Sequence, residues 1–319
     1  MVRWSQGRTC RLPVLKQLHY GMKILRRRQL LARVAWVVLW GFASHETLSA
    51  APRWVTAYDC ADTPNTWMAF RKDVRLASRP LSLRLKIAAD TKYWLWVNGK
   101  QVVFEGGLKR GPDPTSGYYD EIDIAPHLRK GTNRLAVLVD YMGRDGFSHK
   151  SSGRGGLVVD GENDEFDTDA RWMGRVHSAY GTMDGPRPNF RLAESNIRFD
   201  ANRDMAGWQT SDDLEALRFK PAKELGGWND APWGRLEARP IPMWKDYGVK
   251  AVVFRRLQGT QTDTIVARLP YNMQFTPVIR VVDETGNRSV KMFTDHLRVG
   301  GQECVQAEYI TRRGDQSYE

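Results

Sequence analysis

The segment Leu81-Ser82-Leu83-Arg84-Leu85-Lys86-Ile87 alternates strictly. Lys92-Tyr93-Trp94-Leu95-Trp96-Val97 alternates again, ahead of Asn98-Gly99 and Lys100-Gln101-Val102-Val103-Phe104. Period-2 spacing puts Leu81, Leu83, Leu85 and Ile87 on one buried strand face and leaves Ser82, Arg84 and Lys86 to water. Asn and Gly tolerate the positive φ of a tight turn, so Asn98-Gly99 predicts that the strands on either side of it form a hairpin. Gly106-Gly107 and Gly111-Pro112-Asp113-Pro114 mark a longer loop. Ile122-Asp123-Ile124 resumes a strand. Gly131-Thr132-Asn133 is read as a turn into Arg134-Leu135-Ala136-Val137-Leu138-Val139, with Leu135, Val137 and Val139 inward. Residues 81–139 therefore predict the middle of an antiparallel β-sandwich.

Working outward, Trp54-Val55-Thr56-Ala57-Tyr58, residues 66–74 and Leu157-Val158-Val159 read as further strands. Residues 212–225 suggest one short helix, N-capped by Ser211 and broken by Pro221. Arg239-Pro240-Ile241-Pro242 reads as an extended linker. Beyond it, strands are expected over 249–257, 264–269, 278–282, 290–293 and 305–311, with Asp283-Glu284-Thr285-Gly286-Asn287 as a hairpin turn. The expected fold class is all-β: a jelly-roll sandwich over 51–240 and a second, incomplete β-sandwich unit over 241–319.

Residues 1–50 carry nine of the 48 Lys and Arg and one of the 37 acids, so the formal charge of +11 is mostly theirs. The rest holds 39 bases and 36 acids of interspersed sign, which gives no electrostatic footprint for nucleic acid. Arg26-Arg27-Arg28 and Arg33 precede the apolar run Val34-Ala35-Trp36-Val37-Val38-Leu39-Trp40-Gly41-Phe42-Ala43. Leu48-Ser49-Ala50 then offers a cleavage site. This is the pattern of a leader peptide, with Met22 as an alternative start. It predicts export to the periplasm or the outside of the cell, with no membrane association beyond the leader.

Catalytic motifs are missing. There is no G-x-S-x-G, H-E-x-x-H or P-loop, and no G-x-G-x-x-G after a strand. Residues 160–169 contain Asp160, Glu162, Asn163, Asp164, Glu165, Asp167 and Asp169. These supply oxygen ligands of the calcium kind but lack the EF-hand order, so a solvated acidic loop is the favoured reading and no cofactor or metal is expected. Cys60 and Cys304 are either a disulfide or two free thiols. Twelve Trp fit either core packing or sugar stacking. Candidate sugar-binding residues are Trp94 and Trp96 on the non-core strand face and Lys109, Arg110 and His149 in loops. Packing against a neighbouring layer is the competing role for the two Trp, and plain solvation is that for His149.

Several of these motifs resemble the N-terminal region of bacterial α-L-rhamnosidases. The resemblance lies in Ala89-Asp90-Thr91-Lys92-Tyr93-Trp94-Leu95-Trp96-Val97-Asn98-Gly99-Lys100, in Arg110-Gly111-Pro112, in Tyr118-Tyr119-Asp120-Glu121-Ile122-Asp123 and in residues 128–139. It continues through Thr168-Asp169, Trp172, residues 191–197, Phe199-Asp200-Ala201, Pro232-Trp233-Gly234, Arg239-Pro240-Ile241-Pro242, residues 269–273 and Tyr309-Ile310-Thr311. One departure is Phe219-Lys220-Pro221-Ala222, where relatives tend to have Trp before Pro-Ala. The resemblance implies a galactose-binding-like sandwich. It also implies that catalysis belongs to a helical (α/α)6 barrel following the β-domains, with a Glu general acid and a second Glu activating water with inversion. No segment of 1–319 matches that barrel, so no catalytic residue is carried over. Glu194, Asp200, Asp283 and Asp295 are expected to be structural.

The leading expectation is therefore the non-catalytic N-terminal part of an exported rhamnosidase. In its full form that enzyme would release terminal L-rhamnose from plant glycans, and the missing catalytic domain would be a partner of this region. A stand-alone carbohydrate-binding module and a structural scaffold or degraded gene product are the alternatives.

Overall fold

The computed structural model describes residues 51–108, 111–145, 150–182, 197–245, 247–260, 264–267, 276–292, 298–299, 302–303 and 307–318. Among these described residues, fourteen strands lead up to residue 238. They are β1 (Arg53–Thr56), β2 (Thr66–Leu76), β3 (Arg84–Asp90), β4 (Lys92–Val97), β5 (Lys100–Gly106), β6 (Ser116–Asp123), β7 (Gly131–Tyr141), β8 (Gly156–Gly161), β9 (Met173–Val176), β10 (Tyr180–Thr182), β11 (Ile197–Asp200), β12 (Lys220–Pro221), β13 (Lys223–Gly227) and β14 (Arg235–Ala238). Twelve of them build two six-stranded sheets, ordered β13-β1-β8-β3-β6-β14 and β12-β9-β2-β7-β4-β5. The chain is all-β as the alternation predicts, and no α-helix occurs among the described residues.

The core between the sheets comes from the alternating residues. Leu85 and Ile87 of β3 and Val159 of β8 meet Phe70 of β2, Leu95 of β4 and Val137 of β7, all fully buried. Asn98 and Gly99 have φ of 53° and 80°, the paired positive values of the tight hairpin turn between β4 and β5. Asn98 also donates through Nδ2 to Asn133 Oδ1 at 2.9 Å, tying the turn to the start of β7.

Three local expectations change. Leu81 is fully exposed, because sheet pairing begins only at Arg84, opposite Asp123, and no neighbouring strand reaches further back. Gly131-Thr132-Asn133 is not a turn but the first part of β7, paired with Val74-Arg75-Leu76. The helix over 212–225 does not form. Its first half is a run of turns, and its second half is recruited as β12 and β13. Pro221 suits β12, a short edge strand against Met173 and Gly174, where a missing N–H is tolerated.

Both sheets are also covered on their outer faces. Beneath the turns of 205–219, Met205, Trp208 and Phe219 pack on Trp67, Ala69, Ala136 and Leu138. So β7 is buried on both sides, although only Leu135, Val137 and Val139 were expected inward. On the opposite sheet, Trp54 stacks on Trp233 with centroids 4.2 Å apart and planes 7° from parallel.

The remaining strands are β15 (Phe254–Leu257), β16 (Thr264–Ala267), β17 (Ile279–Asp283), β18 (Ser289–Met292), β19 (Arg298–Val299), β20 (Gln302–Glu303), β21 (Ala307–Ile310) and β22 (Gly314–Tyr318). The segment Asp283-Glu284-Thr285-Gly286-Asn287 does not close a hairpin. It passes the chain from β17, paired with β22, to β18, paired with β21. One four-stranded sheet, β10-β11-β21-β18, joins residues from both sides of position 240, and β11 and β21 run parallel in it.

The exit from the sandwich is fixed by a buried ion pair. Asp120 of β6 and Arg239, just after β14, are 1% and 7% exposed at their side chains, and Arg239 Nε donates to Asp120 Oδ1. Asp120 Oδ2 accepts from Tyr93 Oη and from the Gly107 N–H, both at 2.7 Å. Arg239 Nη2 donates to the Gly107 carbonyl at 3.0 Å. Tyr93 stays a phenol, since burial and the adjacent Asp120 charge raise its pKa well above the usual value. Its ring needs Gly106, where a Cβ would sit 2.2 Å from Tyr93 Cζ. Removing one member leaves the other charge buried and unpaired. Asp120→Ala and Arg239→Ala should therefore each lower unfolding free energy by about 3–5 kcal/mol in urea titrations. The double variant should lose markedly less than the sum of the two.

Candidate functional site

One end of the sandwich gathers the polar loops. The carboxylate of Asp90, at the end of β3, is buried and accepts from the Ser152 N–H at 2.7 Å and from Thr91 Oγ1 at 2.8 Å. Burial raises its pKa, and the Ser152 and Thr91 hydrogen bonds partly offset this. Gly155 N–H donates to Asp62 Oδ1, which brings the 59–65 segment to the same place. Gly107 packs close to the Thr91 carbonyl, so that a Cβ there would approach it to 2.9 Å. The described flanks of the two loops that carry Lys109, Arg110 and His149 thus both adjoin the Asp90-Thr91 turn. Those three residues themselves lie outside the described residues, as does Cys304 of the proposed disulfide. The Asp62 N–H donates to Cys60 Sγ at 3.4 Å.

Trp94 and Trp96 are placed elsewhere, half-buried on the outer face of the second sheet. Trp94 lies against Trp67 at 5.2 Å and edge-on to Phe104 at 6.3 Å. Trp96 meets Trp208 at 5.8 Å and 75°. The structure does not bring them together with the loop end.

Several side chains of 160–169 are engaged by the fold, while Glu162, Asp164 and Glu165 are exposed. Asp160 pairs with Lys86 at 3.0 Å, and Asn163 accepts from the Glu165 N–H at the start of a 3-10 turn. Asp169 Oδ2 accepts from Arg171 Nε at 2.5 Å. Asp167 accepts from the Gly161 N–H at 2.8 Å. Among the described residues no group of three His, Cys, Asp or Glu is arranged to hold a metal ion. Asp200 and Asp283 do local work too. Asp200 caps a 3-10 turn through the Asn202 N–H. The Thr311 hydroxyl, donating at 2.5 Å, holds Asp283 far below the usual carboxylate range. Glu194 and Asp295 lie outside the described residues.

No protein-family model matches the chain, and no curated protein matches it. Solved structures do match. A GH78 family rhamnosidase of Bacillus sp. GL1 aligns with 65% of this chain and 20% of its own, at 29% identity and a TM-score of 0.53. The α-L-rhamnosidase of Aspergillus terreus aligns with 85% of this chain and 32% of its own, at 17% identity and a TM-score of 0.60. That of Dictyoglumus thermophilum gives 84%, 32%, 18% and 0.60. The chain has a rhamnosidase-like fold. It spans a fifth to a third of the length of these three proteins. The rhamnosidase-like sandwich is thus related to a domain associated with glycoside hydrolases.

The buried Asp167 gives this fold a pH signature. Burial pushes its pKa up to about 6 from 3.8, against the opposing Gly161 N–H bond. A raised folded-state value contributes stability that is complete below about pH 4 and is lost as pH rises through 6. Asp167→Asn keeps an acceptor for the Gly161 N–H. It should match the parent below pH 4 and exceed it at pH 7 by about 1–3 kcal/mol, read from urea midpoints across pH.

Proposed function

We propose that this chain is the non-catalytic β-portion of an exported α-L-rhamnosidase-type glycoside hydrolase, acting with a separate catalytic domain on a rhamnose-containing plant glycan. The observation that carries this reading is an uncovered apolar strip that follows the Asp120–Arg239 pair. Trp244 is 61% exposed, Tyr247 72%, Val249 74% and Val253 90%, and Phe254 and Ile265 of the β15–β16 hairpin are similarly open. All eight residues of that hairpin are exposed. A two-stranded hairpin is at best marginally stable alone, and a covering partner would bury these exposed apolar side chains. The rhamnosidases of like fold carry two-thirds or more of their length outside the matched region, and a domain from that length is the partner of the right kind.

In this reading the sandwich positions the partner domain or its substrate, and inversion at the rhamnosyl carbon is the partner's chemistry. The candidates for glycan contact are Lys109, Arg110 and His149, which belong to the two loops whose described flanks adjoin Asp90. The leader segment supports a periplasmic or extracellular setting.

The test compares the 319-residue chain with the protein as isolated from producing cells. The recombinant chain should not hydrolyse an aryl α-L-rhamnoside above the uncatalysed rate. The native material should hydrolyse it, and should do so as a longer polypeptide or with a bound second one. Hydrolysis by the recombinant chain at an enzymatic rate, or native protein that is both inactive and unpartnered, overturns the reading.

A further inference from the structure

The four-stranded sheet β10-β11-β21-β18 meets the outer face of the second six-stranded sheet at a joint built around Tyr180. Tyr180 of β10 stacks on Trp67 of β2, with centroids 4.1 Å apart and planes 8° from parallel. Asn65, just before β2, donates through Nδ2 to the Gly181 carbonyl at 3.1 Å and to Thr182 Oγ1 at 2.8 Å. The His177 N–H donates to the Trp67 carbonyl at 2.7 Å. The later strands take hold of the same residues. The Tyr318 hydroxyl of β22 donates to the Tyr180 hydroxyl at 2.8 Å, and Tyr309 of β21 and Tyr318 both lie against Phe199 of β11. One route by which residues beyond 240 are held to the sandwich therefore runs through Tyr180 and Phe199.

His177 lies inside this joint. It is 3% exposed, and its ring is surrounded by Tyr180 at 5.0 Å, Phe199 at 6.3 Å and Trp208 at 6.3 Å. Nδ1 is buried with no hydrogen-bond partner among the described residues, and Nε2 is 3.6 Å from Asp204 Oδ1, beyond hydrogen-bond distance. A neutral imidazole fits such an aromatic cage. An imidazolium brings a charge and two N–H donors into it, which is costly without acceptors. Burial is the larger cause of a lowered pKa, Arg175 of β9 adds to it, and together they bring the imidazole from 6.5 down to about 4. Burial also holds Asp204 toward its protonated form, which Arg312 opposes. The remaining charged or titratable groups face the neighbours of the ring. Asp140 of β7 and Tyr318 of β22 act on the Tyr180 hydroxyl, and Arg71 Nη1 donates to the Trp208 carbonyl at 2.8 Å.

We infer that this joint is acid-sensitive: protonation of His177 loosens the β10–β11 hairpin, with β21 and β22 docked on it, from the Trp67 face of the sandwich. Charging His177 favours every state in which the imidazole reaches water. Lifting Tyr180 and Phe199 off the ring is such an opening, and it leaves the pairing of the two six-stranded sheets intact. A group whose folded-state pKa lies below its unfolded value contributes stability that is complete above about pH 6.5 and is lost as pH falls toward 4. The response does not depend on the proposed glycan or partner domain.

Hydrogen exchange of the 319-residue chain at pH 7 and pH 5, corrected for the intrinsic pH dependence of amide exchange, tests it. Peptides covering 177–182 should have an opening constant roughly 20-fold larger at pH 5 than at pH 7, the change that follows from a pKa of 6.5 falling to about 4. The opening constants of β2 and β7 should change by less than about 3-fold, because their pairing is not part of the opening. His177→Phe and His177→Gln each remove the titrating ring and should bring the 177–182 response below about 3-fold as well. Should neither variant fold, an NMR titration of the His177 ring in the parent decides, with a pKa near 4 expected. An opening constant that does not change with pH in the parent, an equal acid response in a folded variant, or a ring pKa of about 6 or above overturns the proposal. A 20-fold rise shared by β2 and β7, about the same size as that of 177–182, overturns the assignment of the response to this joint.

Discussion

A carboxylate inside a β-sandwich must be neutralised or fully hydrogen-bonded, and Asp120 sets this constraint for the whole molecule. Its three partners come from three places in the chain: Tyr93 on β4, Gly107 after β5 and Arg239 after β14. Satisfying it fixes how the two sheets meet at the β4–β5 end. It also forces β14 to run parallel beside β6, register Arg235 to Ser116, so that Arg239 arrives over the carboxylate. The segment read from sequence as a linker is therefore anchored at its first residue, and Met243 at its far end still packs against the sandwich core. The exposed apolar side chains of Trp244, Tyr247, Val249 and Val253 follow this anchored point.

The parts of this arrangement that were legible in the sequence are those governed by period 2. Tyr93, Leu95 and Val97 point inward because alternate residues must, and Asn98-Gly99 turns because only small positive-φ residues do so cheaply. What was hidden depends on long-range pairing. Alternation could not show that Ala136 and Leu138 are buried as well, because their cover arrives from Met205, Trp208 and Phe219, some 70 residues later. The same cover accounts for the half-burial of Trp94 and Trp96 on the non-core face, the neighbouring-layer packing weighed for them from sequence. Leu81 matched the pattern and is exposed, since a strand exists only where a neighbour supplies hydrogen bonds. Residues 212–225 were read as a short helix from the Ser211 cap, but the sheet edge at Met173 captured Lys220 and Pro221 instead.

The charged edge of β2 was illegible for a similar reason. Lys72 sits in β2 between Arg71 and Asp73, and its sequence neighbours give no sign that β9 ends beside it. A polar residue in an otherwise buried strand, Arg71-Lys72-Asp73 in this chain, was the available signal. Its meaning depends on the position of Arg171 and Glu165, a hundred residues away. The fold thus separates three tasks in space. The Asp120 cluster holds the scaffold, the strip after Arg239 exposes large apolar side chains, and polar loops gather at one end of the sandwich.

The central claim is that the sandwich is self-sufficient and ends in an anchored but uncovered strip. Native-state hydrogen exchange of the 319-residue chain tests it most directly. The account predicts that amides of β6 and β14 exchange as slowly as those of β2 and β7, only through global unfolding, while amides of β15 and β16 exchange orders of magnitude faster. Equal protection of the hairpin and the sandwich core would show that the strip is already covered, and would contradict the account.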